Sequence, residues 1–207
     1  MNPVEIVSHP LAQRHLTALR DAETPTERFA WHLNRLAELL FLEASRDLPV
    51  EEVPVKTPLA ETEGVRLAKP VVLCPILRAG LGLLDAVRPM VPEARVAHIG
   101  LARDETTAEA HSYYAKFPDG MAEAEVFLLD PMLATGGSAV EGVRQLQAAG
   151  ATSIRFVCVV SCPQGIEAFQ KAHPGVPITT AAVDAGLNLQ SYIVPGLGDA
   201  GDRYFGT

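Results

Sequence analysis

An acidic residue and a loop of small residues separate an apolar run from a helical pattern in the second half of this 207-residue chain. The apolar run covers residues 126–129, Asp130 follows it, and the helical pattern begins at Gly137. Backbone N–H groups at a helix N-terminus bind anions, and the helix dipole favours the same charge. With the hydroxyls of Thr135 and Ser138 beside those groups and a carboxylate able to accept from sugar hydroxyls, the segment favours a ribose 5-phosphate site. A glycine-containing turn with a capping Thr or Ser is the alternative for this segment alone.

Two arginines lie just past two other apolar runs. Arg78 follows residues 71–77 and precedes a glycine-rich helix start, and Arg103 follows residues 96–101. A guanidinium suits phosphate because its planar fork can donate two hydrogen bonds at once. Either arginine alone is more simply interpreted as a surface ion pair. Together with the loop after Asp130, they favour a ligand that carries phosphates at both ends.

The elements that must position these residues alternate between strands and helices. The predicted strands cover residues 71–77, 96–101, 126–129, 154–160 and 178–183, and the predicted helices between them cover 82–91, 137–149 and 166–172. Because wholly apolar strands that alternate with helices form a parallel sheet covered on both faces, we expect an α/β fold with a doubly wound parallel sheet. Ligands of such sheets bind beyond the carboxyl ends of the strands, where Arg78, Arg103 and Asp130 all fall.

The remaining segments carry weaker signals. A capping box of Thr24 and Glu27, with Pro25 at the first helical position, predicts an amphipathic helix over residues 25–47, and a shorter helix is expected over 10–19. The polar residues 103–120 are expected to form a loop or an extended hairpin arm. A GxGxxG pattern at 196–201 is not a dinucleotide fingerprint, because too little chain follows it to complete a βαβ unit.

The composition excludes several classes of protein. Lys plus Arg is 17 and Asp plus Glu is 25, and the formal charge of −8 counts against proteins that coat nucleic acid or anionic membranes. Three cysteines without a CxxC pattern count against a disulfide framework, and six histidines without HxH or HxxxH spacing count against a zinc site. Without a basic-then-apolar leader or a run of about 18 apolar residues, we expect a soluble cytoplasmic protein.

Four motifs together resemble those of the uracil phosphoribosyltransferases, within the type I phosphoribosyltransferases. They are PILRAGLG at residues 75–82, GLARDE at 100–105, DPMLATGGSA at 130–139 and YIVPGLGDAGDRYFGT at 192–207. The resemblance implies that uracil reacts with 5-phosphoribosyl 1-diphosphate (PRPP) to give UMP and diphosphate, with Mg²⁺ as cofactor. It implies one domain over residues 1–207, with N-terminal helices at about 1–50 and a hood over the base at about 186–207. It also implies an arm at about 103–120 that helps to form a homodimer or a higher homo-oligomer.

The resemblance also assigns roles to the motif residues. Arg78 and Arg103 would hold the diphosphate of PRPP, and Asp199 would reach both PRPP and the base. The catalytic residues it implies are Asp130, Arg103 and Asp199. The other PRPP-binding residues are Pro131, Met132, Leu133, Ala134, Thr135, Gly136, Gly137 and Ser138. The uracil-binding residues, largely through backbone groups, are Ile193, Gly198, Asp199 and Ala200. The ligands of the metal are left open.

Two positions depart from the type I pattern or from the family's usual residue. Pro131 follows Asp130 where other type I relatives have a second acid, and Ala102 stands where the family often has an aromatic residue. Three other functions are compatible with the motifs: the same reaction on another base, a phosphoribosyltransferase-like regulator that binds RNA, and a non-catalytic nucleotide sensor. The −8 charge counts against the RNA-binding regulator. The presence of both arginines and the whole loop counts against the sensor.

Overall fold

A computed structural model describes residues 4–103 and 110–207. Parallel strands and helices alternate along most of this chain. The strands are β1 (Val4–Ile6), β2 (Val50–Lys56), β3 (Glu61–Leu67), β4 (Val71–Leu77), β5 (Arg95–Val96), β6 (His98–Arg103), β7 (Ala110–Lys116), β8 (Glu125–Leu129), β9 (Met132–Leu133), β10 (Ser153–Val157), β11 (Val160–Ser161), β12 (Ile178–Thr180), β13 (Ala182–Val183), β14 (Gly186–Leu187) and β15 (Ile193–Val194). The helices are α1 (Pro10–Arg20), α2 (Thr26–Ala44), α3 (Leu81–Val87), α4 (Gly137–Ala148), α5 (Pro163–Ala172) and α6 (Ala200–Phe205).

The central sheet has the order β1-β12-β10-β8-β4-β6-β7, with β5 also paired to β4. Every pair in it is parallel except β6 with β7 at one edge. From β4 the chain crosses to β6 on one side, and from β8 it crosses to β10 and β12 on the other side. The connections therefore leave β4 and β8 in opposite directions, which opens a crevice at their carboxyl ends. The predicted α/β fold with a doubly wound parallel sheet is confirmed.

Alternate residues of the central strands enter two separate cores, as the period of two in a strand requires. In β4, Val71 and Leu73 pack with helices α1, α2 and α3, whereas Val72 and Cys74 pack on the other face with α4 and α5. All four side chains are 2% exposed or less. Because both faces are covered, the strands are continuously apolar, and that pattern made them predictable from the sequence.

The predicted strand over residues 154–160 is two strands, which is a correction. It ends at Val157 in β10, and β11 begins at Val160 in a separate parallel sheet of order β13-β11-β9. The backbone amides of Val159 and Val160 both donate to the carbonyl of Pro131, so the chain leaves the central sheet at this point. The predicted helix over 82–91 is also shorter, because Pro89 lies in a following 3-10 turn and has no N–H for a helical hydrogen bond.

The predicted capping box at the start of α2 is wrong, although the helix itself is confirmed. Pro25 occupies the N-cap position and no side chain caps the helix there. The Thr24 hydroxyl instead donates to the carbonyl of Ala18 at 2.7 Å. The backbone carbonyl of Pro25 accepts from the amides of Arg28 and Phe29. Thr24 therefore joins the start of α2 to the end of α1 rather than capping it.

The chain has further antiparallel strand pairs, β6 with β7 at the edge of the central sheet and β2 with β3 outside it. The arm expected over residues 103–120 includes residues 104–109, which lie outside the described residues, and its second half forms β7, the antiparallel edge of the central sheet. The second hairpin, β2 with β3, was not predicted. Its residues are mostly exposed on both faces, and Leu59 at its tip is 97% exposed.

Within the described ranges, none of the helices is both long and apolar enough to cross a membrane. The three cysteines are free, as the sequence predicted, and all three are buried. Burial raises the pKa of Cys74 and of Cys158 to about 12, so neither thiol supplies a thiolate near neutral pH.

A buried carboxylate holds together the amino-terminal end of the sheet, away from the crevice. The side chain of Glu125, at the start of β8, is 5% exposed. It accepts from the Lys69 ammonium at 3.0 Å and from the Ser153 hydroxyl at 2.6 Å, and Arg155 lies 3.6 Å away. Burial opposes ionisation of Glu125, but these hydrogen bonds and charges outweigh it and lower its pKa below the ordinary value of 4.5.

This arrangement predicts a specific loss of stability in acid. Because the pKa of Glu125 is lower in the folded chain than in the unfolded chain, its contribution is complete above about pH 5 and disappears as pH falls through the folded pKa. Glu125→Gln should therefore cost about 1–3 kcal/mol of unfolding free energy at pH 7 and less at pH 3. Urea unfolding followed by circular dichroism at several pH values measures this. An equal loss at both pH values would contradict the assignment.

Candidate functional site

The loop after β8 is held in place by the strands beside it. The amide of Asp130 donates to the carbonyl of Val157 at 3.2 Å, and the carbonyl of Pro131 accepts two amides from the chain after β10. Pro131 is buried and supports the loop through its carbonyl, and its predicted contact with PRPP stays a prediction. These backbone bonds fix Asp130 at the carboxyl end of β8, as the sequence predicted.

Close backbone packing shapes the rest of that loop. Gly136, the N-cap residue of α4, has a φ of +87°, a conformation that favours glycine. Helix α5 packs closely against the loop, since a Cβ on Gly165 would lie 2.4 Å from the carbonyl oxygen of Ala134. The Cys162 thiol, just before α5, donates to the same oxygen at 3.1 Å. The first turn of α4 therefore begins at a defined point, next to the end of β8.

A cavity of about 160 Å³ lies at this helix start. Its lining residues are Asp130, Met132, Leu133, Ala134, Gly136, Ser138 and Ala139. Thr135 and Gly137, which were also predicted, lie in the same loop between the lining residues. The first amides of a helix have no partner within the helix, so a carboxylate-flanked cavity at this position suits a phosphate bonded to a hydroxylated sugar.

The second loop follows β4, the neighbour of β8 at the crevice. Gly80 fits between the two strand ends, since a Cβ there would lie 2.4 Å from the carbonyl oxygen of Leu129 and 2.6 Å from that of Ile76. The peptide bond between Leu77 and Arg78 is cis. The guanidinium of Arg78 is largely exposed and directed toward the C-terminal segment, where Nη2 lies 3.0 Å from Oδ1 of Asp202.

The second predicted arginine, Arg103, is described only in its backbone. Arg103 is the last residue of β6, which pairs with the carboxyl end of β4. Its side chain lies outside the described part of the chain. The topology therefore places its backbone on the strand beside Arg78, while its predicted contact with the diphosphate stays a prediction.

The C-terminal segment, residues 186–207, folds over the crevice and is called the hood here. It consists of the β14–β15 hairpin, a turn at residues 195–198 and helix α6. Gly196 has a φ of +59°, and a Cβ there would lie 2.1 Å from the carbonyl oxygen of Ile193. Asp199 is the N-cap of α6, and its side chain accepts from the amide of Asp202 at 2.9 Å.

A cavity of about 360 Å³ lies between the hood and the two loops, within the range of small-molecule sites. Its lining residues are Ala79, Met132, Ala134, Gln190, Ser191, Tyr192, Ile193, Gly198, Asp199, Ala200 and Gly201. Met132 and Ala134 also line the smaller cavity, so the two adjoin. The structure thus brings the predicted base-binding residues against the predicted phosphate loop.

Comparison with known proteins decides the family. The family model described as uracil phosphoribosyltransferase matches residues 6–207. The chain belongs to the uracil phosphoribosyltransferase family. A protein named uracil phosphoribosyltransferase from Ligilactobacillus salivarius is 49% identical over 208 residues, with both chains covered completely.

Solved structures agree on the fold. The AQ2163 protein from Aquifex aeolicus superposes with a TM-score of 0.93 at 34% identity, over 98% of each chain. Adenine phosphoribosyltransferase from Trypanosoma brucei has a TM-score of 0.56 at 14% identity, over 88% of this chain and 83% of that one. At 14% identity the second likeness shows the fold alone. The fold is thus shared with a protein named for another base, adenine.

Several residues of this family member's site were not predicted. They are Ala79, Ala139, Gln190, Ser191, Tyr192 and Gly201. Tyr192 and Gly201 fall within the C-terminal motif and could have been found from it. Gln190 and Ser191 sit at the tip of the β14–β15 hairpin, which the short apolar run at 192–194 did not reveal. Among the described residues that line the two cavities there is neither His nor Lys. The titratable carboxylates there are those of Asp130 and Asp199.

The tight packing at Gly80 predicts a severe effect of one methyl group. Gly80→Ala should cost about 1–3 kcal/mol of unfolding free energy or more, because backbone atoms of both strands must move to admit the Cβ. The matched control is Gly175→Ala, where a Cβ would meet nothing within 4 Å, and it should cost under about 0.5 kcal/mol. Chemical denaturation of the two variants provides the comparison. Equal stabilities would refute the close approach.

Proposed function

We propose that this chain is a uracil phosphoribosyltransferase, which converts uracil and PRPP into UMP and diphosphate in pyrimidine salvage. The observation that carries the proposal is the junction of the two cavities at Met132 and Ala134. A nucleoside monophosphate has a phosphate and a flat base joined by a ribose, and these cavities offer a helix-start anion site and a covered pocket on either side of one junction. Membership of the family supports the same reaction.

The residues around the cavities suggest how the substrates bind. We place the 5-phosphate of PRPP at the start of α4, where Ser138 and the first-turn amides face it. Asp130 accepts hydrogen bonds from the ribose hydroxyls. Arg78 and Arg103 hold the diphosphate, and each guanidinium can bind two of its oxygens. The uracil lies under the hood, against the backbone of Ile193 and of residues 198–200.

The proposed chemistry depends on position and charge rather than on a strong base. The bond from the ribose C1 to the diphosphate breaks early with its electron pair going to the diphosphate, which leaves oxocarbenium character on the sugar. The bond from uracil N1 to C1 then forms, and N1 gives up its proton to the departing diphosphate or to water. The carboxylate of Asp130 lies on the sugar side and stabilises that positive charge. Asp199 is the candidate to polarise the N1–H group of uracil, and the alternative role is orientation through its capping of α6.

The carboxylates of this site fit Mg²⁺ that is bound together with PRPP. Among the described residues, no cluster of three or more His, Cys, Asp or Glu side chains could hold a metal alone. Mg²⁺ usually takes one or two carboxylates together with substrate phosphates and water, and Asp130 and Asp199 line the two adjoining cavities. When bound, the ion would neutralise charge on the diphosphate.

Two further expectations from the sequence stay proposals. We propose a homodimer, and the exposed β2–β3 hairpin with Leu59 at its tip is a second candidate contact beside the expected arm at residues 103–120. We also propose that the enzyme acts in the cytoplasm, where its phosphorylated substrate PRPP is available.

The proposed function is tested by incubating purified protein with PRPP and a panel of bases and detecting the nucleotide. We expect UMP from uracil, little product from other bases, loss of activity with EDTA and recovery with excess Mg²⁺. A nucleotide formed from a purine in place of uracil would support the alternative of another base. No product from any base would contradict the proposal, and RNA binding that weakens steeply with salt would then favour the regulator.

Two substitutions test the roles of the loop residues. Asp130→Asn should lower kcat about 100-fold or more with the fold retained, because the amide cannot stabilise positive charge on the sugar. Arg103→Ala should chiefly raise the KM for PRPP, because it removes a diphosphate ligand. Steady-state kinetics with each substrate varied in turn separate the two effects. A fully active Asp130→Asn enzyme, or an Arg103→Ala enzyme that matches the wild type, would remove that residue from the site.

A further inference from the structure

The turn of the hood is attached to the N-terminal helices through one buried ion pair. Arg20, the last residue of α1, contacts Asp184, which follows β13, with Nη2 to Oδ1 at 2.6 Å and Nη1 to Oδ2 at 2.8 Å. The Asp184 side chain is 6% exposed. Burial opposes its ionisation, but Arg20 and the amide of Gly196 outweigh that effect and lower the pKa of Asp184.

The same pair holds both backbone groups of one hood residue. The amide of Gly196 donates to Oδ2 of Asp184 at 2.8 Å, and its carbonyl accepts from Nη1 of Arg20 at 3.1 Å. With both groups bound, the peptide planes on either side of Gly196 are fixed. The positive φ of Gly196 and its close approach to Ile193 make this turn the point from which Ile193 and Gly198 reach the base cavity.

A second arginine attaches the next part of the hood to the same helices. Arg203 of α6 donates to the carbonyls of Leu197 at 2.7 Å and Leu19 at 2.5 Å through Nη1, and to that of Asp21 at 2.6 Å through Nη2. Its guanidinium lies 4.3 Å from the centre of the Phe29 ring. The turn and the start of α6 thus rest on α1 and α2, which carry no residue of either cavity.

We infer that Arg20 and Asp184 are positioning residues for the base site, an inference that rests on the proposed function. The predicted uracil contacts at Gly198 and Ala200 are backbone groups. Their orientation therefore depends on the backbone conformation of the hood rather than on a side-chain rotamer. Arg20 and Asp184 set that course at Gly196, two residues earlier. The pair touches neither the phosphate cavity nor Arg78, so its effect falls chiefly on the base, and PRPP meets the hood only through Asp199 and the Arg78–Asp202 contact.

Asp184→Asn tests the inference, because the amide nitrogen cannot accept from Arg20 and Gly196. We expect the KM for uracil to rise about tenfold or more while the KM for PRPP changes less than about twofold. Hydrogen exchange at the amides of residues 196–198 should accelerate while the core strands stay protected. Arg20→Lys keeps the charge with fewer donors and should show about a threefold rise in the KM for uracil alone.

The matched control is Glu125→Gln, a buried carboxylate that also accepts from a cation and a neutral donor, at the other end of the sheet. It should lose stability with both KM values within about twofold of the wild type. Unchanged KM values in Asp184→Asn, or an equal rise in both, would overturn the inference. If Asp184→Asn does not fold, Arg20→Lys decides by the same criterion. If the wild type makes no UMP, the proposed function fails, and the exchange at 196–198 still decides whether the pair fixes the turn.

Discussion

The divergence of the chain at β4 and β8 is the constraint on which the rest of the site depends. The two strands pair side by side, but their connections run to opposite sides of the sheet, so the carboxyl ends leave a crevice. Because Gly80 has no side chain, the backbone of the loop after β4 packs directly against the backbone at the end of β8. This packing brings Ala79 beside the loop of Asp130. The two cavities adjoin at Met132 and Ala134 of the loop after β8, and the loop after β4 adds Ala79 to the larger one.

The charge of −8 is compatible with a substrate that carries several negative charges. In the proposed binding mode, the anionic groups contact local features that need no net positive surface: the start of α4 and the guanidinium of Arg78, which pairs with Asp202 in the hood. The site therefore needs no positively charged surface, while the net negative charge still counts against a protein that coats nucleic acid. Arg20 pairs with the carboxylate of Asp184, and Arg203 donates to three backbone carbonyls, so neither guanidinium is available to a ligand.

The fold was largely predictable because its strands are buried on both faces, so their apolar runs mark them directly. The loop at Asp130 was predictable because its acid, small residues and helix start are contiguous in the chain. The ion pair between Arg20 and Asp184 was not, since its residues are 164 positions apart and neither belongs to a motif. The capping box at Thr24 failed for a different reason: its hydroxyl donates to the carbonyl of Ala18, six residues earlier at the end of α1, rather than to the helix that follows. The hairpin β2–β3 was missed because exposed strands lack an apolar run.

The central claim is that one nucleotide spans the two adjoining cavities. A crystal structure of the protein with UMP tests it most directly. The account predicts the phosphate within hydrogen-bond distance of the amides at the start of α4 and the uracil ring under the hood, against Ile193 and Gly198, with the ribose between them at Asp130. A UMP molecule bound with its phosphate away from α4, or with its base outside the hood, would contradict the account.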